Sequence, residues 1–189
     1  MNSVIEKNQH RRSLTTMDLA YTALFIGLIT ICSWISIPMT IPFTMQTFAV
    51  FVAVGLLGMK RGTLSVVTYI LLGAIGVPVF AGFSGGLGIL MGSTGGYIIG
   101  FIASALITGA IIKVFGKKTA VMFFAMIVGL LACYAFGTVW FIYVYGKTTG
   151  AIGVATALSW CVTPYILPDL VKIILAIILV KRVSNYVKL

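Results

Sequence analysis

Thr163-Pro164-Tyr165-Ile166-Leu167-Pro168-Asp169-Leu170-Val171-Lys172-Ile173-Ile174 sets two opposite charges at the head of a long apolar run. The residues from Leu170 to Val180 suit a bilayer crossing, yet Asp169 is one of only three acidic residues in the chain. Lys172 is flanked by apolar sequence on both sides. An ionisable side chain within a membrane span costs about 2.5–3.5 kcal/mol on insertion scales and marks a functional position by default. The i, i+3 spacing puts both groups on one helix face, within reach of each other. Pro168 is expected in the first helical turn, where its missing N–H costs nothing. Asp169 would then lie near the positive end of the helix dipole. A pair that only neutralised itself could be replaced by leucines with little loss, which favours a site over a filler.

The rest of the chain supports membrane embedding. It is 60% hydrophobic and 8% charged over 189 residues, with a mean hydropathy of +1.15, whereas soluble domains carry about 25% charged residues. The net charge of +10 does not indicate nucleic acid, because the basic residues fall in short clusters between apolar runs, the positive-inside pattern. Cys32, Cys133 and Cys161 lie in apolar sequence without metal-ligand spacing and read as small core residues. His10 is the sole histidine.

Outward from that stretch, the expected architecture is all-α with six transmembrane helices. Residues 1–16 form a basic cytoplasmic tail and 17–189 a single transmembrane substrate-binding domain. The spans run Leu19 to Ile37, about the length a hydrocarbon core requires, then to Met59, short unless it begins near Pro42, Thr63 to Val79, a fourth to Val114, Thr119 to about Tyr145, and about Pro164 to Val180. Asp18 favours the start of the first helix. Ala20, Ala23 and Gly27 give that helix a face of small residues that another helix can approach closely. Ile37 to Gln46 carries Pro38 and Pro42 and cannot be a continuous helix. It reads as an uncharged outer loop that brings Thr44, Gln46 and Thr47 to the outer end of the bundle. Phe80 to Tyr97 is the richest glycine segment and carries no charge. Gly92, Gly96, Gly100 and Ser104 recur every four residues as a close-packing ridge. Thr148 to Cys161 is a small-residue segment, expected as a short helix at the outer surface.

Lys7, Arg11, Arg12, Lys60, Arg61, Lys113, Lys117, Lys118, Lys181, Arg182 and Lys188 fall on one side of this arrangement. Lys147 alone falls on the other, and Lys172 within the membrane. Both termini are therefore expected in the cytoplasm. Asp169 then lies ~9 Å below the outer end of the last helix at 1.5 Å per residue, and its pocket should open outward. Phe43, Phe80, Phe83, Tyr97, Trp160 and Tyr165 gather near the outer ends, as an interfacial belt or as walls for an apolar ligand.

Three other chemistries have weak support. Gly82-Phe83-Ser84-Gly85-Gly86 matches a nucleophile elbow, but a serine nucleophile needs a base. His10 is on the wrong side, which leaves a Ser84–Lys172 membrane hydrolase as a minor alternative. Gly116-Lys117-Lys118-Thr119 resembles the end of a phosphate-binding loop, but Ile111 stands where the earlier glycine is required. Metal ligation has no carboxylate pair, H-E-x-x-H or cysteine pairing to rest on. A second alternative is an autonomous secondary transporter with Asp169 and Lys172 as a proton relay, although no doubled pattern of broken helices is visible.

The outer loops resemble those of the BioY family, the biotin-specific substrate-capture subunits (S components) of energy-coupling-factor transporters. The blocks that carry the likeness are Ile41-Pro42-Phe43-Thr44-Met45-Gln46-Thr47, then Gly76-Val77-Pro78-Val79-Phe80-Ala81-Gly82-Phe83-Ser84-Gly85-Gly86 through Gly95-Gly96-Tyr97, and Pro168-Asp169-Leu170-Val171-Lys172. Ser93 departs from the family, which more often has proline before Thr-Gly-Gly-Tyr. The resemblance implies a six-helix bundle in a prokaryotic cell membrane that binds biotin from outside, without catalysis and without a bound cofactor. It implies docking through Ala20, Ala23 and Gly27 on a transmembrane coupling subunit that works with two ATPase subunits. Physically, Asp169 can accept from biotin's ureido N–H groups, and Lys172 can hold Asp169 ionised or donate to a ligand oxygen. Thr44 and Gln46 can add neutral hydrogen bonds. Phe43, Phe80, Ala81, Gly85, Gly86, Gly95, Tyr97 and Tyr165 are expected around the ring, in a mostly apolar cavity with few polar groups.

Overall fold

The computed structural model describes residues 15–186. The basic tail expected over 1–16 lies outside the described residues except at Thr15 and Thr16, as does Lys188. Helix α1 is Thr16–Trp34. It opens with a capping box in which Thr15 Oγ1 accepts from the Asp18 N–H and Asp18 Oδ2 accepts from the Thr15 N–H, satisfying two of the donors that a helix start leaves orphaned. Asp18 Oδ1 also pairs with Arg61 at 2.7 Å. The helix stops three residues before the expected Ile37 because the chain there turns extended. Strands β1 (Ser36–Ile37) and β2 (Phe43–Thr44) pair antiparallel around the two prolines.

Helix α2 spans Gln46–Ala74 but is broken at Gly58, whose φ of 76° and ψ of 179° are not helical. Gln46 Nε2 donates to Tyr69 Oη at 3.0 Å. A straight helix would hold those residues ~34 Å apart, so the chain folds back at Gly58. The expected second and third spans are thus two limbs, 46–57 and 59–74, of one folded-back element. Gly62 makes the fold possible: a Cβ there would lie 2.7 Å from Val54 Cα. The second limb ends at Ala74 rather than Val79, since Gly76 takes a φ of 102° and Pro78 follows.

A loop with a 3-10 turn at Ala81–Phe83 and a short helix α3 (Leu87–Met91) leads to α4 (Gly95–Phe115). Gly92 caps α3 and so lies outside the close-packing ridge proposed for it. The remaining ridge packs on α5 (Thr119–Thr148). A Cβ at Gly96 would meet Trp140 and one at Gly100 would meet Cys133, while from the other side Gly129 faces Thr108 and Gly137 faces Tyr97. Small residues at such positions let helix backbones approach closely, and packing is what drives association where lipid is as apolar as leucine.

Helix α6 (Val154–Cys161) begins later than the segment expected for it, and α7 is Thr163–Ser184. Pro164 occupies the first turn of α7 and Pro168 lies inside the helix, so the expectation for Pro168 was one turn too early. Asp169 therefore sits in the second turn, where the dipole has less hold on it, and Pro168 leaves the Pro164 carbonyl without its usual i+4 donor. Helices α1, α2, α4, α5 and α7 are long and apolar enough to cross a membrane. The core is centred on Phe51, Tyr69, Phe80, Phe141, Ile29, Met122, Met126 and Ile173, and the outside is equally apolar, with Leu24, Phe124, Val139 and Leu167 exposed. Hydrocarbon is the solvent that suits both surfaces. Cys32, Cys133 and Cys161 are buried free thiols.

Candidate functional site

Asp169 and Lys172 project from one face of α7 into the bundle, 3% and 4% exposed. Lys172 Nζ donates to Asp169 Oδ1 at 2.7 Å, and Tyr134 Oη of α5 donates to Oδ2 at 2.5 Å. Both carboxylate oxygens are thereby engaged, each keeping a further lone pair. The ammonium also stands 4.0 Å from the centre of the Phe43 ring, an attraction that strengthens when water is excluded. Phe43 stacks on Tyr165 at 6.4 Å, and Tyr165 donates its hydroxyl to the Ile41 carbonyl. Strand β2 is thus tied to α7 through both aromatic side chains.

This cluster borders a cavity of about 250 Å³. Of the residues singled out from sequence, Asp169, Lys172, Gln46, Thr44, Phe80, Ala81, Tyr97 and Tyr165 line it. Gln46 is the first residue of α2 and meets Tyr69, whose hydroxyl donates to the Val79 carbonyl at 3.0 Å. Ser33 donates to the same carbonyl at 2.5 Å, so α1, both limbs of α2 and the glycine-rich loop meet in one chain of hydrogen bonds. Tyr97 Oη and Thr138 Oγ1 lie 2.8 Å apart.

Four residues from the sequence reading stand off the wall. Phe43 lies beneath the ammonium rather than on the lining. Gly85 fits against the Val77 carbonyl, where a Cβ would approach to 2.4 Å, and Gly95 fits against the Leu90 carbonyl. Gly86 takes a φ of 100° and donates its N–H to the Gly73 carbonyl at 2.6 Å. These glycines shape the loop that carries Phe80 and Ala81. Of the outer aromatics, Phe83 and Trp160 are exposed and pack on Trp34 and Tyr145.

The lining also includes residues that sequence reasoning did not assign, among them Tyr134, Thr47, Thr94, Cys133 and Cys161, with Ile41, Ile98, Phe101 and Leu130 as apolar wall. Tyr134 had a signal: it is a tyrosine in the middle of a span, away from the interfaces where tyrosine belongs. The cysteines had none. Ser84 borders the cavity but donates to the Ala81 carbonyl at 2.7 Å. Lys172 Nζ is directed at Asp169 Oδ1 rather than at Ser84. Ala20, Ala23 and Gly27 lie on the exposed side of α1, with nothing within 4 Å of a Cβ at Gly27.

The chain resembles known proteins over nearly its whole length. The BioY family model matches residues 6–189. The chain is 39% identical over 170 residues to the biotin transporter BioY of Thermotoga maritima, covering 89% of this chain and 96% of that protein. It is 36% identical over 169 residues to a probable biotin transporter BioY of Pyrococcus horikoshii, covering 89% and 96%. The crystal structure of an S component for biotin from an ECF-type ABC transporter superposes with a TM-score of 0.81 at 26% identity, over 92% of this chain and 95% of that one. A buried acid–base pair beside a small cavity, on a multi-pass helical scaffold matched over nearly its whole length, leaves one conclusion: this chain belongs to the BioY family.

Proposed function

We propose that this protein captures biotin in the cavity beside Asp169 and Lys172 and hands it to a transport complex for import. The observation that carries the reading is a doubly engaged, buried carboxylate lining a mostly apolar cavity of about 250 Å³, slightly under the usual range of ~300–1,000 Å³ for small-molecule sites. Asp169 accepts from the ureido N–H groups through its remaining lone pairs. Lys172 holds Asp169 in place by a 2.7 Å hydrogen bond, and its other protons are available to a ligand oxygen. Thr44 and Gln46 add neutral hydrogen bonds, while Phe80, Ala81, Tyr97 and Tyr165 enclose the ring. Phe43, Gly85, Gly86 and Gly95 act through the loops they shape. Labelled biotin should bind the purified protein, and Asp169→Asn should weaken that binding by more than about tenfold, the loss expected for a charge-assisted hydrogen bond. Unchanged affinity in the variant would remove the assignment.

Counting the limbs of α2 separately gives six membrane passages, with both ends of the chain on the cytoplasmic face. In support, Lys60, Arg61, Lys113, Lys117, Lys118, Lys181 and Arg182 share one end among the described residues and Lys147 the other. The cavity then opens outward between the β ribbon, the glycine-rich loop and α6. Docking on a transmembrane coupling subunit served by two ATPase subunits uses the exposed face of α1 at Ala20, Ala23 and Gly27. Tryptophan scanning of that face should abolish coupled uptake while leaving biotin binding intact.

A further inference from the structure

At the end of the bundle far from Asp169, the start of α5 and the end of α7 border an open cleft of about 320 Å³. Lys117, Lys181, Ser184 and Asn185 provide its polar wall, and the fully buried Met122 and Val180 its apolar one. The positive-inside rule accounts for lysines at this end of a bundle but not for a hollow between them.

Electrostatics adds a sharper point. Lys117 and Lys118 stand at the amino-terminal end of α5, with no acidic residue in its first turn and no side-chain cap at Lys118. Cations there oppose the helix dipole, whose positive end they crowd. Among the described residues, Lys117 Nζ reaches the Leu56 carbonyl at 3.5 Å. No carboxylate among the described residues lines the hollow, and Asp18 is paired with Arg61. The described side chains thus give the cleft a positive charge that an anion can neutralise.

We propose that this cleft holds the phosphate headgroup of an anionic phospholipid. Basic pockets between membrane helices on the cytoplasmic side are suited to such headgroups. Here the lysines face the phosphate, Ser184 and Asn185 supply hydrogen bonds, and Met122 and Val180 meet the first acyl carbons. The assignment is independent of what the outer cavity binds.

Native mass spectrometry of the full chain with added phosphatidylglycerol or phosphatidylcholine tests it. Phosphatidylglycerol adducts should survive, and combined Lys117→Gln and Lys181→Gln substitution should weaken them roughly thirtyfold, the effect of removing two lysines near a membrane surface. Combined Lys117→Arg and Lys181→Arg substitution should retain them, and Lys147→Gln at the other end should change nothing. Monodisperse elution of each variant shows that it folds. Equal retention of phosphatidylcholine, or adducts unaffected by the glutamine pair, would overturn the proposal. Displacement of the lipid by inorganic phosphate at equal concentration would overturn the lipid assignment in favour of a free-phosphate site.

Discussion

Asp18–Arg61 and Asp169–Lys172 are ion pairs of the same length, 2.7 Å, at opposite ends of the bundle. Their side chains differ in exposure: 34% and 11% for Arg61 and Asp18, against 5% for each member of the other pair. The first ties the start of α1 to the turn that folds α2 back on itself, where water shares the work. The second has given up its hydration and gained instead a tyrosine donor, an aromatic face and a cavity. Distance alone does not rank two ion pairs; the medium around them does.

Breaking each pair should expose that difference. Asp169→Asn strands a buried ammonium and should cost the fold about 3–5 kcal/mol, read as lowered thermal unfolding in detergent along with the loss of biotin binding. If Asp169→Leu combined with Lys172→Leu restores stability but not binding, the pair is there for the ligand rather than for the fold. Tyr134→Phe removes one charge-assisted hydrogen bond and should weaken biotin binding by about 1.5–3 kcal/mol, leaving the ion pair in place. Gly58→Ala meets no atom within 4 Å, so its cost is the left-handed backbone alone, about 1–2 kcal/mol, seen in unfolding and not in affinity. Asp18→Asn should be the mildest, about 0.5–1 kcal/mol of stability for a partly exposed pair, with biotin affinity unchanged. An Asp18→Asn effect on affinity comparable to that of Tyr134→Phe would show the two ends to be coupled.

The same contrast governs what could be read without coordinates. Membrane embedding and the unusual standing of Asp169 and Lys172 follow from composition and charge placement, because burying a charge in hydrocarbon is costly wherever the helices happen to pack. The resemblance in the outer loops pointed to the family for the same reason: unusual glycine and proline patterns need little context. Gly58 shows the limit. A glycine between Leu57 and Met59 marks a break, but it takes the Gln46–Tyr69 hydrogen bond and the Gly62–Val54 contact to show that the two limbs lie side by side.

Sequence by itself determined that this chain lives in lipid and keeps an acid–base couple there, since solvation free energy is a property of side chains in a medium. Only the tertiary structure decided that Tyr134 closes the second oxygen of Asp169, that Phe43 lies beneath Lys172 and off the wall, and that Gly85 and Gly95 pack rather than line. Those are relations between segments up to 129 residues apart, such as Phe43 and Lys172. A rotation of one helix about its axis would exchange them without altering a single local preference.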